Sequence, residues 1–138
     1  MTYKKIFVDS DILLDLILQR SPFNAFAKIL LNQGQILKLN FCTSTLVLAN
    51  IHYMIAKNFG KHLAKEHLKN LSNIIHLLPF ESNDAIAALD SEHIDFEDTI
   101  QFIIAQKHNC DLIISRNLKH YKKFSLPVLT AEQFLETL

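Results

Sequence analysis

Acids stand at the ends of apolar runs in this chain of 138 residues. Asp9 closes the β-branched and aromatic run Ile6-Phe7-Val8, and Asp11 and Asp15 follow among leucines. Far along the chain, Asp95, Glu97 and Asp98 open a stretch with Ile100, Ile103, Ile104 and Lys107 at helical spacing. Asp95 and Asp98 are three apart, so on a helix they share a face. Taken alone they are ordinary helix-start chemistry, because the helix dipole favours negative charge there. Asp9 also has an ordinary reading, as cap of the next helix. An acid beside a buried strand is costly, however, unless something uses it. Converging carboxylates repel, and their usual relief is a hard cation such as Mg²⁺ or Mn²⁺. Such a cluster supports metal-assisted attack of water on a phosphodiester.

The elements that must position these residues follow from period and punctuation. Glycine is scarce (Gly34, Gly60), and so is proline (Pro22, Pro79, Pro127), which suits long helices with short connections. Residues 4–8 read as a buried strand. Asp11 to Leu18 read as a helix capped by Ser10 or Asp11. In "SPFNAFAKILLNQG" a second helix takes Ser21 as N-cap, Pro22 as first residue and Gly34 as stop. A strand over 39–43 leads into a long helix opened by Ser44 or Thr45 and ended by Gly60. "KHLAKEHLKNLSN" is a basic amphipathic helix. "IIHLLPF" is a strand, and "SNDAIAALDS" a helix capped by Ser82. The Asp95–Asp98 helix precedes a strand over Leu112 to Ile114. "LPVLT" gives a short last strand, and Thr130 and Gln133 form a capping box for a final helix.

Short apolar strands alternating with helices make a parallel sheet covered on both faces. The expected fold class is therefore α/β, with four to five strands in one domain spanning 1–138. Ligands of such sheets sit beyond the carboxyl ends of the strands. There the chain places Asp9, then Thr43-Ser44-Thr45 with Asn50 on the following helix, then Ser115-Arg116-Asn117.

Lys+Arg and Asp+Glu balance at 14 each, so net charge does not identify a polyanionic partner. Cys42 and Cys110 read as two reduced, mostly buried thiols. No signal peptide and no membrane-length apolar run is read, so the expected compartment is the cytoplasm, without a membrane partner. The seven histidines show no zinc-ligand spacing and read as scattered surface residues. His52 and Tyr53 read as packing residues. Lys57, Lys61, Lys65 and Lys69, four apart, read as a solvated face. Arg116 and Lys119, beside the expected site, are assigned to phosphate contact together with Ser115. Tyr121 could stack on a base or belong to the core.

Taken in order, these segments resemble the PIN domain family. "FVDSDILLDLIL" is similar to its opening strand, Asp-Thr-Asn and apolar helix. "STLVLANIHYMI" resembles its second motif, and "DFEDTIQFIIAQKHNCDLIISRNLKHY" its third and fourth. "LPVLTAEQFL" resembles its closing strand and helix. The resemblance spans nearly the whole chain. It implies a three-layer α/β/α domain and a metal-dependent ribonuclease, often the toxin of a VapBC-type toxin–antitoxin pair. It further implies an antitoxin partner and a homodimer. Carried over by position, Asp9 and Asp98 are the firm metal ligands, Asp95 an accessory acid, and Ser115 and Asn117 the fourth motif. The second motif usually has Glu where this chain has Asn50, and Asn117 replaces the commoner Asp. Asn50 would then position water or an outer ligand.

The remaining acids are assigned as follows. Asp11 orients Asp9, adds a ligand or caps the turn. Asp15 lies on the solvent side of its helix or pairs with a nearby base. Glu97 lies off the acid face. Two rival functions stay open: a PIN fold that binds RNA or a protein without cutting, and a haloacid-dehalogenase-like phosphohydrolase using Asp9 and Asp11 of "DSD". The latter lacks the expected glycine-rich continuation.

Overall fold

The computed structural model describes residues 3–138. Five strands form one parallel sheet: β1 (Lys5–Val8), β2 (Asn40–Ser44), β3 (His76–Leu78), β4 (Leu112–Ile114) and β5 (Val128–Leu129), in the order β3-β2-β1-β4-β5. All pairings are parallel, with Phe7 opposite Cys42 on one side and Ile113 on the other. β1 is central, so Ile6, Phe7 and Val8 are completely buried, as a doubly covered strand requires. The chain leaves β1 toward β2 and later returns to β4 on its other side. The switch point therefore lies between the carboxyl ends of β1 and β4.

Helix α1 (Ser10–Ile17) packs against both α2 (Phe23–Ile36) and α3 (Thr45–Phe59), α4 (Lys61–Ser72) packs on α3, and α8 (Ala131–Leu135) joins α2. A second layer contains α5 (Ser82–Asp90), α6 (Phe96–Lys107) and the single turn α7 (Leu118–Tyr121). Phe102 of α6 stacks on Phe124, with ring centroids 4.4 Å apart. The expected Thr130–Gln133 capping box is present, and both cysteines are buried and free. No helix among the described residues is long and apolar enough to cross a membrane.

Several helix ends differ from the expectation. The first helix is capped not by Ser10 or Asp11 but by Asp9, in keeping with that acid's ordinary reading, and its carboxylate accepts from the Ser10 N–H. α2 has Pro22 as N-cap with no side-chain bond, so Ser21 does not cap it. Nor does Gly34 stop α2. The helix runs on to Ile36, and Lys38 takes the left-handed turn at φ 55° while the Leu39 N–H reaches back to the Gly34 carbonyl. Gly34 is required for a close approach instead: a Cβ there would stand 2.3 Å from the Phe41 ring. α5 is capped by Glu81 rather than Ser82. The turn α7 was not expected from the sequence.

Candidate active site

The end of β1 delivers Asp9 beside the end of β4, because the Asp9 N–H continues the ladder onto the Ile114 carbonyl. Asp9 is 6 % exposed. Ser115, fully buried, donates its hydroxyl to Asp9 Oδ2 at 2.8 Å and stands 3.3 Å from Asp11 Oδ2. One hydroxyl proton cannot serve both carboxylates, and the shorter distance gives it to Asp9. Asp11 Oδ2 accepts instead from the Arg116 backbone N–H at 2.9 Å. The Asn117 N–H donates back to Ser115 Oγ at 3.0 Å. The end of β4 thus fixes Asp9 and Asp11 through backbone and hydroxyl donors, none of them charged.

Charge balance around the acids is poor. Burial pushes the Asp9 carboxyl above its ordinary range, and the nearby charge of Asp98 adds to the effect. Asp11 is pushed up to about 6, first by burial and then by the Asp9 charge. Asp98 is also raised, again mainly by burial. Asp11 Oδ1 is buried without a hydrogen-bond partner. Opposite charge within reach favours the ionised form, and here it comes to Asp11 from Arg116, itself held by Asp15, and to Asp98 from His120 and Lys123. His120 Nδ1 stands 3.0 Å from Asp98 Oδ2. Among the described residues, no three Asp, Glu, His or Cys side chains form a ready-made ligand set. What the cluster offers a hard cation is carboxylate oxygens: Asp9, the orphaned oxygen of Asp11, and Asp98, whose charge acts on Asp9.

The other expected site residues are dispersed around this centre. Asp95 is half exposed and ion-paired with Lys123 at 2.6 Å, which lowers its carboxyl below the usual range. It belongs to the rim rather than the buried cluster. Asn50 is exposed on α3 and lines a groove of about 410 Å³ with Ser10 and Glu97. Asn117 and Lys119 are exposed at the start of α7. Tyr53 is 64 % exposed, so it does not pack as expected. Tyr121 is fully buried, which removes it as a stacking platform. Its hydroxyl has no hydrogen-bond partner, and the charges of Asp9 and Asp98 raise its pKa further above the effect of burial.

Two assignments change most. Asp15 is completely buried rather than on a solvent face, and the alternative expectation, pairing with a nearby base, is the one that holds. It accepts from Arg20 Nε at 2.9 Å, from Arg116 Nε at 2.7 Å and from Arg116 Nη2 at 2.9 Å. Arg116 is therefore not a free phosphate contact. Its guanidinium is held by Asp15 and lies 4.0 Å from the Phe23 ring centroid. Sequence reasoning also missed Gln101, buried one turn beyond Asp98, which accepts from Ser44 Oγ at 2.7 Å. That bond ties the end of β2 to α6. A buried glutamine on an apolar helix face was the available signal.

A family model described as PIN domain matches residues 5–119. The chain is 29 % identical over 145 aligned positions to Ribonuclease VapC1 of Aquifex aeolicus, covering 99 % of this chain and 96 % of that protein. Among solved structures, it is similar to DNA-bound VapBC from Salmonella typhimurium, at a TM-score of 0.69 and 12 % identity over 93 % of this chain and 98 % of that one. It is also similar to the sarcin-ricin loop cleaving toxin VapC20 of Mycobacterium tuberculosis, at a TM-score of 0.66 and 17 % identity over 86 % and 94 % of the two chains.

Proposed function

Because the chain belongs to the PIN domain family, we propose that it is a metal-dependent single-strand endoribonuclease and the toxin of a type II toxin–antitoxin pair. The observation that carries this reading is the convergence of Asp9, Asp11 and Asp98 at the switch point, where burial raises all three carboxyls. The likeness to Ribonuclease VapC1 supports the activity, and the likeness to VapBC structures supports an antitoxin partner. Exposed Ile86, Leu89, Ile94 and Phe96 give α5 and the start of α6 an apolar surface suited to a protein partner or a second copy.

Asp9, Asp11 and Asp98 would hold Mg²⁺ or Mn²⁺, oxygen ligands matching hard cations. The chemistry such an ion supplies is Lewis-acid activation of water and neutralisation of charge on the phosphodiester. The protein's own part is positioning. Ser115 fixes Asp9, the Arg116 N–H fixes Asp11, and Gln101 with Ser44 fixes the helix that carries Asp98. Lys119, exposed beside the site, is free to meet an RNA phosphate. Asn50 and Asn117 are neutral and exposed at the cleft edge, where they can orient water. A second reading, an RNA-binding PIN fold without cleavage, draws on the same two neutral side chains.

The test is cleavage of a mixed RNA pool across a Mn²⁺ titration. Wild type is expected to cleave, leaving 5′-phosphate ends. Asp9→Asn and Asp98→Asn should each lose about a hundredfold or more, a hundredfold being about 2.7 kcal/mol of transition-state stabilisation. Undiminished cleavage by both variants would refute the site. Absence of cleavage by folded wild type at saturating Mn²⁺ would favour the binding reading.

A further inference from the structure

A cavity of about 340 Å³ is lined by Arg116, the residue whose backbone N–H holds Asp11, and nothing in the reaction outlined above uses it. Its walls include Ile12, Phe23, Phe26, Arg116, Ala131 and Glu132. Two of its lining residues, Ile12 and Arg116, are chain neighbours of Asp11 and Ser115. Arg116 serves both places: its backbone N–H holds Asp11, while its side chain lines the cavity.

The chemistry of the walls narrows the occupant. Phe23, Phe26 and Ile12 offer flat or apolar faces. Asp15 engages two of the five guanidinium N–H groups of Arg116, and the other three make no hydrogen bond among the described residues. Glu132, exposed in the first turn of α8, adds an acceptor. The buried Asp15 answers much of the arginine charge, and Glu132 adds a negative one, so the cavity is a poor phosphate site. Aromatic and guanidinium planes with both donors and an acceptor at the edge suit a nucleobase. The volume lies near the lower limit of small-ligand pockets, room for one planar base rather than a peptide helix.

We propose that this cavity seats one base of the single-stranded substrate, that of a nucleotide next to the scissile phosphate. The inference rests on the ribonuclease reading for the identity of the substrate. The base stacks on the face of the Phe23 ring that the Arg116 guanidinium does not cover and is read at its edge by Glu132. Glu132 favours bases that present an exocyclic amine, adenine, cytosine or guanine, over uracil.

The test uses the full chain without divalent metal, so that binding is read apart from cleavage. The probes are RNA decamers carrying 2-aminopurine at one scanned position. Stacking quenches that fluorescence at one position in wild type. Phe23→Ala is expected to remove the quench and weaken binding at least about fivefold, within the range for one lost stacking contact. Phe23→Leu, which keeps apolar bulk without the ring, gives the same result if the alanine variant does not fold. Glu132→Gln should shift the base preference at that position only. No quenched position in wild type, or an unchanged quench in folded Phe23→Leu, overturns the pocket. A position-specific quench with no Mn²⁺-dependent cleavage refutes the ribonuclease reading and leaves the base pocket standing.

Discussion

Replacing Asp15 with alanine removes the one carboxylate that holds two guanidinium groups against α1. Asp15 is fully buried and takes three charge-assisted hydrogen bonds, two from Arg116 and one from Arg20. Removing one member of a buried ion pair typically costs about 3–5 kcal/mol, because the partner charge is left unanswered. Here the arginine side chains are 36 % and 31 % exposed, so water recovers part of that loss. The expected cost is about 2–3 kcal/mol. Arg20→Gln should cost only about 1 kcal/mol, since Asp15 keeps both bonds from Arg116. Arg116→Gln should fall between them, as it also loses the contact over Phe23. Urea unfolding gives these values directly, and a domain with typical stability tolerates each of them. Asp15→Ala combined with Arg116→Ala should cost clearly less than the sum of the two single changes, because they share one interaction. The reasoning fails if Asp15→Ala costs under about 1 kcal/mol, if Arg20→Gln costs as much, or if the double change is additive.

The raised Asp11 makes stability depend on pH with a definite sign. The folded state holds this proton more tightly than the unfolded chain, so the contribution is full below about pH 4 and is lost as pH rises through about 6. A rise from 3.8 to about 6 corresponds to about 3 kcal/mol at most. Unfolding of wild type and Asp11→Asn between pH 4 and 7 checks it, and parallel curves would contradict it. Gly34→Ala would bring a Cβ to 2.3 Å from the buried Phe41 ring, which itself packs on Phe134. Overpacking should outweigh the better helix propensity of alanine, for a net loss of about 1–2 kcal/mol in denaturation; a stabilised variant would show that the ring yields freely. Thr130→Ala removes the acceptor for the Gln133 N–H and should cost about 1 kcal/mol in the same assay.

The fold was legible because periodicity and strand-end composition are local signals. β1, β2, β4 and the helices between them follow from runs such as Ile6-Phe7-Val8 and from the alternation that forces a parallel sheet. The order of motifs along the chain likewise singled out Asp9 and Asp98. The single turn α7 is too short to leave a period, and Gly34 looked like a helix stop because a missing side chain marks both caps and close approaches. Asp15 and Arg116 show best what local pattern cannot settle. They are 101 residues apart, and one reads as helix surface while the other reads as a basic contact. Only the pairing of β1 with β4 sets α1 against the turn after Ile114 and makes the two a buried pair. The same packing left Asp95 outside with Lys123 and set Ser115 against both Asp9 and Asp11. The sequence by itself determined which residues could carry charge to the strand ends. Tertiary structure decided which of those charges are compensated, because compensation depends on distance and burial between elements far apart in the chain.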